Sequence, residues 1–229
     1  GLKIVRLDEV DSTNLYAKSL IGKGEELAVI ALRQTGGRGT KGRQFISEAG
    51  GVYLTRLKFP ADFPASQAFS IMASASVAVC KTVERFGLSA GIKWPNDVYV
   101  QGKKICGILI ENTFSSGKVA ASVVGIGLNV NNTFSGELSS VAISMREAAG
   151  HPFDREEVEQ VLFEESGKLF PMPEYLSRLE FLGRNVVVIC GEERIPARMI
   201  AVDEKGELIA ETADGLRAFA AAEVSLRPQ

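Results

Sequence analysis

The sequence predicts an α+β fold, with a domain reaching to about residue 182 and a small β-barrel after it. Three observations predict this. Apolar runs that read as strands accompany a long helical stretch that opens at Pro64 and continues to about Phe86. Residues 98–130 read as successive hairpins, because Gln101-Gly102 and Ser115-Ser116-Gly117 supply turns between apolar runs. Beyond Gly183 the apolar runs become short and β-rich, with Gly191, Gly206 and Gly215 between them.

Taken in order, the alternation Lys3-Ile4-Val5-Arg6-Leu7 gives a first strand. Asp11-Ser12-Thr13-Asn14 then offers capping side chains to a helical run from Leu15 to Ile21. Leu27 to Leu32 reads as a strand, followed by a basic, glycine-rich loop over residues 34–43 and a strand from Val52 to Phe59. The small and apolar residues on most faces of the helix after Pro64 predict that it is buried. Ile92-Lys93-Trp94 enters a Pro95-Asn96-Asp97 turn, and the hairpins follow. Helices are expected near residues 140–149, 154–170 and 174–181, the second capped by Asp154. The division is 1–182 and 183–229, the second part holding about five strands, with no helix-turn-helix ahead of the first strand.

Bulk properties remove several function classes. A formal charge of −2 gives no basic field for unspecific nucleic-acid binding. No apolar stretch is long enough for a spanning helix and no leader opens the chain, so a cytoplasmic protein without membrane attachment is expected. Cys80, Cys106 and Cys190 are far apart, odd in number and set in apolar stretches, which reads as reduced core thiols. The one histidine, His151, sits in a His-Pro step, so neither a histidine-based triad nor a zinc site is expected.

Four segments carry chemistry. Residues 34–43 (QTGGRGTKGR) combine four glycines, which let backbone N–H groups approach an anion, with cations at Arg38, Lys41 and Arg43. They lack the Gly-Lys-Ser/Thr ending of a Walker loop. Lys93-Trp94-Pro95-Asn96-Asp97 holds the only Trp beside an amide and a carboxylate. Lys104 heads the apolar run Cys106 to Glu111, where Gly107 admits a flat ligand to the backbone. Gly125 and Gly127 weaken a strand unless something lies against them.

In this order and spacing, Asp-Ser-Thr-Asn, Gln-Thr-x-Gly-Arg-Gly-x-x-Gly-Arg, Lys-Trp-Pro-Asn-Asp, Lys-x-x-Gly-Ile-Leu-x-Glu and Gly-x-Gly-x-Asn resemble the biotin protein ligase family. The resemblance runs from about residue 4 to the end, which finishes in Ser225-Leu226-Arg227, and is to the short form without the DNA-binding repressor domain. It implies a mixed-sheet ligase domain with a C-terminal SH3-like barrel, and a reaction in which biotin and ATP form biotinyl-5'-AMP before biotin passes to a carrier-domain lysine. Ser12, Thr13, Asn14 and Gln34 match positions around the biotin ureido ring; Arg38, Gly39, Thr40 and Gly107 match positions along biotin and the adenylate. Asp97 matches a carboxylate that accepts a ureido N–H, and Lys104 the lysine at the biotin carboxylate. Lys41, Arg43, Trp94, Asn129 and Arg227 fall on the nucleotide side. Two departures stand out: the family often has Arg where this chain has Thr40, and Trp where it has Phe45.

Such a reaction needs no histidine, since the attacking carboxylate is already ionised. Lys104, Arg38 and Arg43 would offset the repulsion between two anions, with Mg²⁺ on the triphosphate and metal-ligand residues unassigned. Asp97 would assist the acceptor amine, and the basic loop would close over the adenylate. The expected partner is a biotin carboxyl carrier domain; DNA is not expected, and a homodimer by sheet extension is. The alternatives are a lipoate or octanoate ligase, which needs an apolar tunnel rather than these polar groups, and a biotin-sensing regulatory protein.

Overall fold

The structure is a computed structural model, and it describes residues 1–220 and 224–228. The chain runs through β1 (Lys3–Val10), α1 (Thr13–Lys18), β2 (Leu27–Gln34), β3 (Val52–Lys58) and α2 (Phe69–Arg85). Then come β4 (Gly91–Lys93), β5 (Asp97–Val100), β6 (Lys103–Lys104), β7 (Cys106–Ser115) and β8 (Lys118–Leu128). Helices α3 (Met145–Ala149), α4 (Arg155–Ser166) and α5 (Met172–Leu176) lead to β9 (Asn185–Cys190), β10 (Glu193–Val202), β11 (Leu208–Thr212), β12 (Gly215–Phe219) and β13 (Val224–Pro228).

The central sheet has the order β1-β2-β3-β8-β7, parallel at β1–β2 and antiparallel elsewhere, so it is mixed. A three-stranded sheet β4-β5-β6 adjoins it, and an antiparallel sheet β12-β11-β10-β9-β13 forms the C-terminal part. The α+β class is therefore the observed one, and the C-terminal strands take the SH3-like arrangement.

Both faces of the central sheet are covered. On one, Leu27, Val29, Leu57 and Val123 pack with Ala17 of α1. On the other, Ile30, Leu54, Val124 and Ile126 join the larger core with α2 and α4. Alternation along each strand sends neighbours to opposite faces, so a site on one face leaves the other to build core. Among the described residues no helix is long and apolar enough to cross a membrane.

Several expected boundaries move for local reasons. The helix at Pro64 begins as a 3-10 turn, Ala65–Gln67, before α2. Helix near 140–149 is split: residues 141–143 bridge Lys104, with Lys104 N donating to Val141 O at 2.9 Å and Ile143 N to Lys104 O at 3.0 Å. Ser144 and Glu147 then start α3 with a capping box. Helix near 174–181 stops at Leu176, because Ile92 takes up extended pairing with Arg178 and Glu180. Helix α4 opens on Asp154 as expected and ends at Ser166 rather than 170.

Cys80 and Cys106 are buried, and burial pushes the Cys106 thiol up to about 12 and the Cys80 thiol higher still. Cys190 differs from the expectation for a core thiol. It lies at the end of β9 and is partly exposed.

Candidate active site

A shallow trough crosses the α1 face of the central sheet. Ser12 caps α1, accepting from Leu15 N at 3.3 Å, and this start of the helix drops Thr13 and Asn14 into the sheet, all three buried. Thr13 donates through both N and Oγ1 to Gln34 Oε1, at 2.8 and 3.0 Å. Gln34 Nε2 donates to Ser47 Oγ at 2.8 Å, which fixes the orientation of the amide. Thr55 Oγ1 lies 2.7 Å from Thr13 Oγ1 and 2.6 Å from Asn14 Oδ1, one hydroxyl proton serving either acceptor. Asn14 Nδ2 reaches Leu109 O at 3.1 Å and Glu111 Oε1 at 3.4 Å, joining α1 to β7.

The floor of the trough is glycine. A side chain at Gly125 would collide with Asn14, so the amide sits directly on the β8 backbone. A Cβ at Gly107 would stand 2.7 Å from the Phe45 ring, and one at Gly127 would meet the same ring from the other side. Phe45 thus lies flat where a flat ligand would lie. Its edge meets Tyr53, with ring centroids 6.5 Å apart and planes at 74°. What space remains beside Ser12, Asn14 and Gly127 is about 20 Å³, room for about one water and far too little for a bicyclic ligand.

Phe45 belongs to the basic loop, which folds back on itself. Gln34 N donates to Ser47 O at 3.0 Å, Phe45 N to Gly37 O at 2.9 Å and Gly39 N to Arg43 O at 2.7 Å. The tip is left-handed at Lys41 (φ 58°) and Gly42 (φ 73°). Arg38, Thr40, Lys41 and Arg43 are exposed along this loop, with Arg38 at the trough.

Next to the trough lies a cleft of about 620 Å³, walled by Thr40, Lys41 and Arg43 on one side and Lys93, Trp94 and Asp97 on another. The barrel closes it with Lys205 and Arg227. Trp94 is buried, and its Nε1 donates to Gly206 O at 3.0 Å. Tyr175 Oη donates to Pro95 O at 2.6 Å, bracing the same turn. Lys104 Nζ pairs with Asp97 Oδ1 at 3.1 Å, both half-exposed at the cleft. Lys93 is buried at the cleft wall, 5.7 Å from the centre of the Tyr99 ring. Burial holds its pKa below the ordinary lysine value, with Arg227 and Lys104 adding to the effect and Asp97 opposing it.

Ser12, Thr13, Asn14, Gln34, Arg38 and Gly107 therefore meet in the trough. Thr40, Lys41, Arg43, Trp94, Asp97 and Arg227 meet in the cleft, with Lys104 tied to it through Asp97 and Gly39 in the loop between. Asn129 joins neither set: it is buried, with Nδ2 donating to Ile143 O at 3.1 Å and Oδ1 accepting from Asn132 at 3.2 Å. Asp97 faces Lys104 and the cleft rather than the polar cluster of α1. The sequence reading gave no role to Thr55, Ser47 or Lys205. It quoted Lys93 within its motif without a role, although a lysine beside the only Trp was a usable signal.

Comparison with known proteins places the chain in a family. The biotin/lipoate A/B protein ligase family model matches residues 7–129, and the biotin protein ligase C-terminal domain matches residues 181–227. The Bacillus subtilis bifunctional ligase/repressor BirA is 30% identical over 244 residues, covering 99% of this chain and 74% of its own length. The Paracoccus denitrificans biotin–[acetyl-CoA-carboxylase] ligase is 30% identical over 242 residues, covering 95% of this chain and 98% of its own. Among solved structures, the Aquifex aeolicus biotin protein ligase in complex with biotin and ATP has a TM-score of 0.78 at 28% identity, covering 99% of each chain.

Proposed function

The chain belongs to the biotin/lipoate A/B protein ligase family, and from that premise we propose how its residues run the ligation of biotin to a carrier protein. The reaction consumes ATP: the biotin carboxylate attacks the α-phosphorus, pyrophosphate leaves, and a lysine amine of a biotin carboxyl carrier domain then takes the acyl group from biotinyl-5'-AMP. The observation that carries the residue assignment is the Thr13–Gln34–Thr55–Asn14 hydrogen-bond cluster at one end of a glycine floor, with Lys104 and Asp97 towards the other.

The polar cluster would take the ureido ring, exchanging part of its internal hydrogen bonding for the ring's N–H and C=O groups, an exchange that an apolar lipoyl or octanoyl chain does not offer. That favours biotin over lipoate or octanoate. Gly107 and Gly127 would bear the flat bicycle once Phe45 has moved aside. Lys104 would meet the biotin carboxylate, held in place by Asp97, and Arg38 would screen the repulsion between carboxylate and phosphate. Gly39 and Thr40 would line the forming adenylate. Lys41, Arg43 and Arg227, with Lys93 added here, would surround the nucleotide against Trp94. Asn129 supports the loop after β8 and would act on the nucleotide only through that loop.

Among the described residues no three acidic, His or Cys side chains gather as a metal cage. The nucleotide would therefore enter as MgATP, its ion carried by the phosphates. In the second half-reaction Asp97 would exchange its pairing with Lys104 for a hydrogen bond to the incoming amine. Residues 1–182 would form the ligase domain and residues 183–229 the barrel that completes the nucleotide cleft. The near-balanced charge supports a ligase that works without DNA, and the free thiols support a reducing, cytoplasmic setting. A homodimer would form through an edge of the central sheet, at β7 rather than at the other edge strand, β1.

The test is calorimetric titration with biotin, then with biotin and MgATP, while pyrophosphate release is followed. Stoichiometric pyrophosphate with biotin, and none with lipoate or octanoate, is expected. Activation of lipoate in preference to biotin would overturn the ureido assignment.

A further inference from the structure

On the opposite face of the central sheet a cavity of about 300 Å³ lies between β3, β8, α2 and the end of α4. Two cations enter it from one strand. Arg56 and Lys58 are two apart on β3, so both point to this face. Arg56 is largely buried: Nε donates to Ser166 Oγ at 2.9 Å, Nη2 donates to Phe163 O, and the guanidinium carbon lies 4.3 Å from the centre of the Phe163 ring, while Nη1 has no hydrogen bond among the described residues. Lys58 Nζ donates to Ser166 O at 3.0 Å. These acceptors are the last groups of α4, whose negative dipole end suits a cation.

That end-capping accounts for part of the charge only. Neither cation has a carboxylate within 4.0 Å among the described residues. Glu26 acts on both from farther away, with its own Oε1 accepting from Phe59 N at 3.0 Å. Lys168 at the rim is neutralised by Glu165 at 3.2 Å. Two cations against Glu26 leave one positive charge in excess. A second, independent feature lies at the same wall: Ser122, opposite Lys58 in the pairing of β3 with β8, is wholly buried there and its Oγ has no hydrogen-bond partner among the described residues. A buried hydroxyl in that state is costly unless something fills its place. The facing wall is apolar, formed by Phe63, Ile71, Val124 and Ile126.

We propose that this cavity is a second binding site, for a small amphiphilic monoanion: a carboxylate carried on a short apolar tail. The carboxylate lies between Arg56 Nη1 and Lys58 Nζ and accepts the Ser122 hydroxyl proton, which balances the excess charge. The tail follows Ile71 and Val124. A compact dianion such as phosphate overshoots the charge and leaves the apolar wall wet. The trough lies across the sheet, so occupancy of this site is separate from the ligation chemistry.

The experiment is titration of the full chain with octanoate, acetate and inorganic phosphate, on the wild type and on Lys58→Met, Arg56→Met and Lys104→Ala. One octanoate per chain is expected in the wild type, more weakly acetate, and no phosphate. Lys58→Met weakens octanoate binding by about tenfold or more while leaving adenylation unchanged, because a charge-assisted hydrogen bond is removed far from the trough. Lys104→Ala leaves octanoate binding intact and slows adenylation by about 10²–10³. Arg56→Met also removes support from the α4 carbonyls, so Lys58→Met is the deciding variant if it fails to fold. Octanoate binding lost in Lys104→Ala but kept in Lys58→Met places the ligand in the trough and overturns the proposal. So does the absence of octanoate binding, or a Lys58-dependent preference for phosphate.

Discussion

Trp94 and Gly206 join the two parts of the molecule: the indole Nε1 donates to the Gly206 carbonyl at 3.0 Å, both groups inside the protein. Gly206 also leaves room for the Phe69 ring, which a side chain there would strike. The bond fixes where the barrel presents Lys205 and Arg227 to the cleft. Trp94→Phe removes the donor and leaves a buried carbonyl unpaired, which is expected to cost about 1–3 kcal/mol in urea unfolding. The variant should also form adenylate more slowly through a raised KM for ATP. Unchanged stability and KM would show the contact to be idle.

Lys104→Ala and Arg38→Ala are each expected to lower the rate of adenylate formation by about 10²–10³, the usual effect of removing one preorganised charge contact. Folding should be intact, since Arg38 is exposed and the Lys104 side chain is 37% exposed. Pyrophosphate release measures the first effect and circular dichroism the second. Wild-type turnover in either variant would remove that residue from the chemistry.

The Phe45 ring covers the glycine floor at Gly107 and Gly127, so a competent pocket requires its departure. Phe45→Ala should raise the association rate for biotin, by about tenfold if the open state is one tenth populated in the wild type. Stopped-flow fluorescence of Trp94, the only tryptophan, would read it. An unchanged association rate would mean that the ring does not obstruct entry.

Gly125→Ala should weaken biotin binding by displacing Asn14 from the sheet and breaking its bond with Thr55. The measurable outcome is a lower affinity, by about tenfold for the loss of one buried polar contact. Biotin binding equal to the wild type would exclude Asn14 from the ligand site.

The trough was legible in the sequence where function left a local mark. Glycines in a strand, a helix cap of three polar residues and a basic loop all contradict ordinary packing, and each was visible as a contradiction. Thr55 left no such mark, because a threonine in an apolar strand is normal; its role comes from the pairing of β3 with β8, which sets it beside Asn14. Asn129 is the converse case. Its motif was apparent, but both ends of its amide serve the loop after β8. The helix over 140–149 failed because three of its residues bridge Lys104, a tertiary demand that local propensity does not contain.

Burial, and then the neighbouring Arg56, push the Lys58 pKa down to about 8, against Glu26. Lys168 and Glu165 stand at the same cavity rim or helix end, paired to each other. Between about 8 and the ordinary 10.5 the unfolded chain holds this proton and the folded chain does not. Stability from this group therefore rises with pH across that window. The difference in unfolding free energy between wild type and Lys58→Met, measured from pH 7 to 10.5, should shift in favour of the wild type as pH rises. A flat difference would mean that Lys58 titrates normally.

Of the three thiols, Cys80 and Cys106 are shut inside and held protonated, whereas Cys190 reaches the surface at the end of β9. A maleimide dye offered to the native protein should consequently settle at one address, on the barrel, without any cysteine first being engineered away. Paired with the lone indole beneath the cleft, that dye would make an optical ruler between barrel and sheet.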